Sequence, residues 1–291
     1  MVLDGLASPE GPRWHGDRLW FAHFADRTVN RLGPDGKREV VIQTEDRPSG
    51  IGFLPDDTPI VVATGTCRLL RLVAGGTEVH AELAGMGGDY LNDMITDGDG
   101  NAYVGTRTWA LRPSRSPLPA RCEIDSLVLV HPDGKAQVAA EHLISPNGMA
   151  VSPDGSFLVV AETYGQRLTR FDRAPDGSLS NRRVFAELPG AYPDGICLDE
   201  EGAVWVASPY TSEFLRVRDG GEVSDRLSLP GGVACVFGGE DRGTLFLLGT
   251  DPAGLPVPDS AAPLPQRSAD EPLTGGHIWT LAVPHGGAGW P

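Results

Sequence analysis

Short apolar runs with strand-like alternation recur along the chain, among them PIVVAT at 59–64, FLVVAE at 157–162, AVWVAS at 203–208 and TLFLLG at 244–249. β-Branched and aromatic residues dominate them, and no long run with a 3.6-residue period is visible, so the pattern predicts strands and not helices. The runs belong to a repeated grammar: a polar or small pair, an apolar strand, a turn rich in Asp and Gly, a second apolar strand, a polar stretch and a third strand. Five segments follow it, opening EGPRW, PSGIG, NDMIT, PNGMAV and PDGICL, and ACVFGGEDRGTLFLLGT is a degraded sixth. Taking Gly11, Gly50, Asp93, Gly148, Gly195 and Ala234 as equivalent gives intervals of 39, 43, 55, 47 and 39 residues. That spacing matches the roughly 40- to 45-residue, four-stranded unit of a propeller. The expected fold is all-β, a six-bladed β-propeller spanning 1–291 as one domain.

Two stretches interrupt the repeat. Residues 107–125 lengthen the third unit and carry Arg107, Arg112, Arg115 and Arg121, and residues 251–276 are rich in Pro and small residues. Inserts of this length are functional lids or disordered segments. The motifs GPDG, HPDG, SPDG and APDG, beginning at 33, 131, 152 and 174, read as hairpin turns.

Composition narrows the function. A formal net charge of -15 argues against a nucleic-acid groove or an anionic membrane patch, since phosphate binding draws on clustered Lys and Arg. No apolar run is long enough to span a bilayer. Cys67, Cys122, Cys197 and Cys235 show no CxxC spacing and read as reduced structural thiols, and no secretion signal is evident, so a cytoplasmic location is expected. There is no HExxH, GxSxG or P-loop. TDGDGN at 96–101 resembles an EF-hand start but has Ala102 and Thr108 where Gly and Glu are required, so it reads as a turn.

In a propeller the innermost strand of each blade runs along the central channel. The residue before the shared Gly is then aimed inward in every unit, and the set reads Glu10, Ser49, Asn92, Asn147, Asp194 and Val233. Four of the six offer oxygen donors suited to a hard cation. By letters alone Asp194 in PDG is one more turn Asp like Asp133 or Asp154; its place in the repeat makes it channel-facing. Asn147 carries the same ambiguity. Asp93 occupies the place of the shared Gly and is expected to bond strand ends. His23 reads as structural, and His80, His131 and His142 as surface or loop residues.

EGPRW followed by LWFA, ND followed by Asp97, SPNGMAVSPDG and PDGICLDEEGAVWVA resemble, in order, the signature segments of the SMP-30/gluconolactonase/luciferin-regenerating enzyme-like family. The resemblance implies a divalent cation at the channel mouth, most often Ca2+ with Zn2+, Mg2+, Mn2+ or Fe2+ as alternatives, held by Glu10, Asn147 and Asp194. It makes Asn92 a substrate contact or a further ligand. Tyr90 stands where sugar-lactone members often have Arg, which shifts the expected substrate toward a less polar lactone or another ester. The implied activity is metal-dependent lactone hydrolysis of a small-molecule substrate, with Asp194 as the catalytic base. Phosphotriester hydrolysis, a biosynthetic rearrangement and non-enzymatic ligand binding are the alternatives.

Overall fold

The computed structural model describes residues 1–108, 124–251 and 275–288. Within them lie twenty-four strands and no helix, and none of the described residues forms a helix long and apolar enough to cross a membrane. The strands make six four-stranded antiparallel sheets. The first five are continuous in sequence: β2–β5, β6–β9, β10–β13, β14–β17 and β18–β21, covering Pro9–Gln43, Pro48–Glu82, Tyr90–Leu143, Pro146–Glu187 and Ile196–Ser228. The sixth is built from both ends of the chain. Its order is β1 (Leu3–Leu6), β24 (Gly276–Ala282), β23 (Thr244–Gly249) and β22 (Gly232–Gly238). The sheets are the blades of a six-bladed β-propeller.

The innermost strands are β2 (Pro9–His15), β6 (Pro48–Phe53), β10 (Tyr90–Thr96), β14 (Pro146–Val151), β18 (Ile196–Leu198) and β22. Each touches the next around the ring, and β22 returns to β2. The six repeat positions read from the sequence fall at or beside the starts of these strands. In five of them the pairing slips here, between Glu10 and Arg13, Pro48 and Ile51, Leu91 and Met94, Pro146 and Met149, and Gly232 and Ala234. Such bulges bend a strand and re-aim its side chains, which suits them to a site rim.

Close packing at the axis explains the shared Gly. A Cβ on Gly148 would lie 2.4 Å from the Asp194 carbonyl oxygen and 2.6 Å from Gly195 Cα, and one on Gly195 would lie 2.5 Å from Ala234 Cβ. At the glycine positions one blade's backbone is thus pressed against the next, where no side chain fits.

The four PDG turns close hairpins as expected. In each, the last Gly donates to the carbonyl three residues back, at 3.0, 2.8, 2.9 and 2.9 Å for Gly36, Gly134, Gly155 and Gly177, and has a positive φ that L side chains rarely adopt. The repeat grammar contains three strands per unit, but the blades have four. The outermost ones, such as β5 (Arg38–Gln43) and β21 (Val223–Ser228), have no buried residue, and β21 is largely polar, so no buried apolar run marks them. The TDGDGN segment is a turn closed by Asp97 Oδ1, which accepts from the amides of Asp99 and Asn101, both at 2.9 Å.

The inserts expected at 107–125 and 251–276 fall almost wholly on 109–123 and 252–274, outside the described residues. Arg112, Arg115, Arg121 and Cys122 lie there too. Cys67, Cys197 and Cys235 are free and buried.

Candidate functional site

One cavity of about 680 Å³ opens at the starts of the inner strands, and all six inward positions line it: Glu10, Ser49, Asn92, Asn147, Asp194 and Val233. Tyr90 lines it as well. The five residues singled out in sequence, Glu10, Tyr90, Asn92, Asn147 and Asp194, are therefore brought to one space from four blades.

Hydrogen bonds between blades hold this rim. Asn92 Nδ2 donates to the Pro146 carbonyl at 3.0 Å, and the Asn92 carbonyl accepts from Ser49 Oγ at 2.6 Å. Asn147 Nδ2 donates to Thr163 Oγ1 at 3.2 Å, and that hydroxyl donates to the Pro193 carbonyl at 2.8 Å, next to Asp194. Both carboxamides thus commit N–H to the scaffold, which leaves their oxygens as the groups suited to a cation or a substrate hydroxyl.

The carboxyls are electrostatically crowded. Desolvation pushes Glu10 well above the usual carboxylate range, and Asp194 and Asp93 push it further, against the Gly11 amide and Arg107. Asp194 is raised to about 7, first by desolvation and then by Asp93, with Arg107 and a hydrogen bond from Asn147 acting the other way. Asp93 is raised by burial and held down in part by Arg13, whose Nη2 lies 3.6 Å from Asp93 Oδ1 and also donates to the Met94 carbonyl. Asp93 Oδ1 accepts the Met94 amide at 2.7 Å. The expectation that Asp93 bonds strand ends fits that contact, but the residue also lines the cavity and burdens both neighbouring carboxyls.

This congestion is what a hard cation would relieve, and the donor set fits one. Among the described residues no three His, Cys, Asp or Glu side chains gather closely enough to ligate a single ion. A cation here would draw on the carboxylates of Glu10 and Asp194 together with the oxygens of Asn147 and Asn92.

His23 lies elsewhere. Its Nε2 accepts the Ala7 amide at 2.6 Å and its Nδ1 is 2.9 Å from Asp26 Oδ2, and burial lowers its pKa. It ties the N-terminal segment to the first blade. His80, His131 and His142 do not line the cavity.

The sequence reading passed over a second ring of wall residues. In the five continuous blades the second strand ends in the equivalent segments AHF, ATG, GTR, AET and ASP, whose third residues are Phe24, Gly65, Arg107, Thr163 and Pro209. All five line the cavity, and Tyr210 follows Pro209 there. The signal was present in the repeat, two residues past the small residue that ends each second strand's apolar run.

Comparisons with known proteins agree with this architecture. The family described as SMP-30/Gluconolactonase/LRE-like region matches residues 8–250. A 6-deoxy-6-sulfogluconolactonase from Pseudomonas putida is 28% identical over 247 residues, covering 82% of this chain and 81% of that protein. A gluconolactonase structure from Xanthomonas campestris is 28% identical with a TM-score of 0.72, and 86% of each chain is covered. The structure of a calcium-binding regucalcin from Agrobacterium tumefaciens has a TM-score of 0.76 over 99% of this chain and 94% of that one, and at 20% identity its likeness carries the fold alone.

Proposed function

This chain belongs to the SMP-30/gluconolactonase/LRE-like family, and on that premise we propose that it is a hydrolase that opens a small lactone with the help of one divalent cation. The observation that carries the reading is the convergence of Glu10, Asn92, Asn147 and Asp194, from separate blades, on one cavity of about 680 Å³. A volume of that order is typical of small-molecule sites. Two relatives named as lactonases, each 28% identical over more than four-fifths of this chain, support the reaction class.

Glu10, Asn147 and Asp194 are the proposed ligands, with Asn92 completing the shell or touching substrate. Bound there, a divalent cation supplies Lewis acidity toward the ester carbonyl, and Ca2+ suits an all-oxygen donor set. The protein's own part is to hold the ring and move a proton. Asp194 takes the proton of the attacking water as its oxygen bonds to the carbonyl carbon. The same carboxyl returns that proton to the leaving ring oxygen. Tyr90, exposed at the rim, and Asn92 orient the ring, while the blade walls limit competing solvent.

The test is metal analysis of the purified protein followed by a lactone panel read as acid release at fixed pH. Turnover that vanishes in chelator and returns on adding Ca2+ or another divalent ion is the expected result. Full turnover in chelator would remove the cation from the reaction, and an inert, metal-free protein would remove the reaction itself.

A further inference from the structure

We propose that Arg107 determines substrate specificity, as a fixed guanidinium that receives an anionic substituent, carboxylate or sulfonate, carried by the lactone. The proposal rests on the hydrolase reading above and narrows its substrate class.

The second ring of wall residues points to it. Phe24, Gly65, Thr163 and Pro209, the equivalents of Arg107 in the other continuous blades, are all uncharged and line the same cavity. Arg107 is the departure. It ends β11 (Ala102–Arg107), and its cross-strand partner is Tyr90, already placed on substrate. The sequence at position 90 argued for a less polar lactone. The register returns a guanidinium to the same corner from the neighbouring strand.

The side chain is also oriented in advance. Arg107 Nη2 donates to Tyr164 Oη at 3.1 Å, and the guanidinium carbon lies 5.5 Å from that ring's centroid. Tyr164 Oη is in turn 3.3 Å from Tyr210 Oη, and Tyr210 lines the cavity with Tyr192 set edge-on against it at 5.1 Å. A planar fork held this way loses little rotamer freedom on binding and matches carboxylate or sulfonate oxygens in pairs. By contrast, Arg27 and Arg47 line the cavity from exposed positions, where a charge is worth less.

Three carboxyls feel the Arg107 charge: Glu10, Asp194 and Asp125. Asp125 accepts the amides of Thr108 at 2.7 Å and Ser145 at 3.0 Å. Glu10 and Asp194 are the pair a divalent cation would neutralise. With that pair claimed by a cation, those two carboxylates no longer offset the guanidinium, and the other buried acid on the cavity, Asp93, lies 3.6 Å from Arg13, a setting that favours an anionic substituent beside Arg107.

The experiment compares a neutral aldonolactone with the same ring bearing a carboxylate or a sulfonate on its exocyclic carbon, in wild type, Arg107→Gln and Arg107→Lys. Wild type is expected to prefer one or both anionic rings. In Arg107→Gln the ratio of kcat/KM for anionic over neutral ring falls about tenfold or more, through KM, equivalent to about 1.4 kcal/mol. Arg107→Lys is intermediate, keeping the charge without the fork, and it carries the test if the Gln variant does not fold. Calorimetry gives a readout that does not depend on turnover. Arg107→Gln binds Ca2+ several-fold more tightly, because a like charge is removed, and binds the ring-opened anionic acid more weakly. An arginine needed only for packing would leave binding of that acid equal in Arg107→Gln and Arg107→Lys. If no lactone turns over, the hydrolase reading fails and the calorimetric arm still decides. No anionic preference in wild type, or equal anion binding in wild type and Arg107→Gln, overturns the proposal.

Discussion

At the scale of single residues, Asp194 carries two proposed roles, ligand and base. Its carboxyl is desolvated, crowded by Asp93 and bonded by Asn147, which suits a group that must both attract a cation and accept a proton. The Asp194→Asn variant keeps an oxygen donor and loses the proposed base. It is expected to fold, to bind Ca2+ more weakly, and to lose about 10²- to 10⁴-fold in kcat, the usual worth of general-base catalysis. Stopped-flow acid release beside calorimetry separates the two effects, and a kcat within a few-fold of wild type would move the base elsewhere. Asp194 was legible in sequence only because the repeat distinguished it from the turn residues Asp133 and Asp154. Asp93 was less so: it replaces the Gly of its repeat position, and letters do not show that a side chain there both caps Met94 and faces the cavity.

At the scale of elements, the inner strands could be read from the sequence because the same steric demand recurs at Gly11, Gly50, Gly148 and Gly195. Where blade backbones meet, a Cβ has no room, and the chain writes Gly or a small residue. The outer strands could not be read, since one face meets solvent and nothing forces an apolar run. The closing strand β1 was equally hidden: LDGL is four residues long and belongs to no repeat. Its weight comes from Leu6, fully buried between the first blade's Leu19, Phe21 and Leu32 and the sixth blade's Val233, Leu248 and Ile278. Leu6 thus welds the seam where the ring closes. Leu6→Ala is expected to cost about 2–5 kcal/mol, whereas Val40→Ala, on an outer strand and 50% exposed, should stay within about 0.5 kcal/mol. Urea unfolding of the pair measures both, and equal effects would show that the seam does not depend on β1.

At the scale of the whole molecule, the cavity carboxyls couple folding to pH and, on the proposed function, to a divalent cation. In the cation-free protein Asp194 titrates at about 7, against roughly 4 for an unperturbed Asp. Across that interval the folded state holds the extra proton, so its stability is full below the unfolded value and falls as pH climbs through 7. Glu10, raised by the same burial and by Asp194 itself, acts in the same direction. Binding a cation requires the ionised carboxylates, so its stabilising effect must grow over the same window. The net charge of -15 adds a general repulsion that also rises with pH, and the Asp194→Asn variant separates the two, because it keeps that background and loses the titration. Scanning calorimetry of chelated protein is expected to show a midpoint that declines from pH 5.5 to 8, with a shallower decline in Asp194→Asn. The increment on adding Ca2+ should be larger at pH 8 than at 5.5. An increment independent of pH would mean that the cation does not meet these carboxyls, because no ion can bind them without competing with the proton they hold.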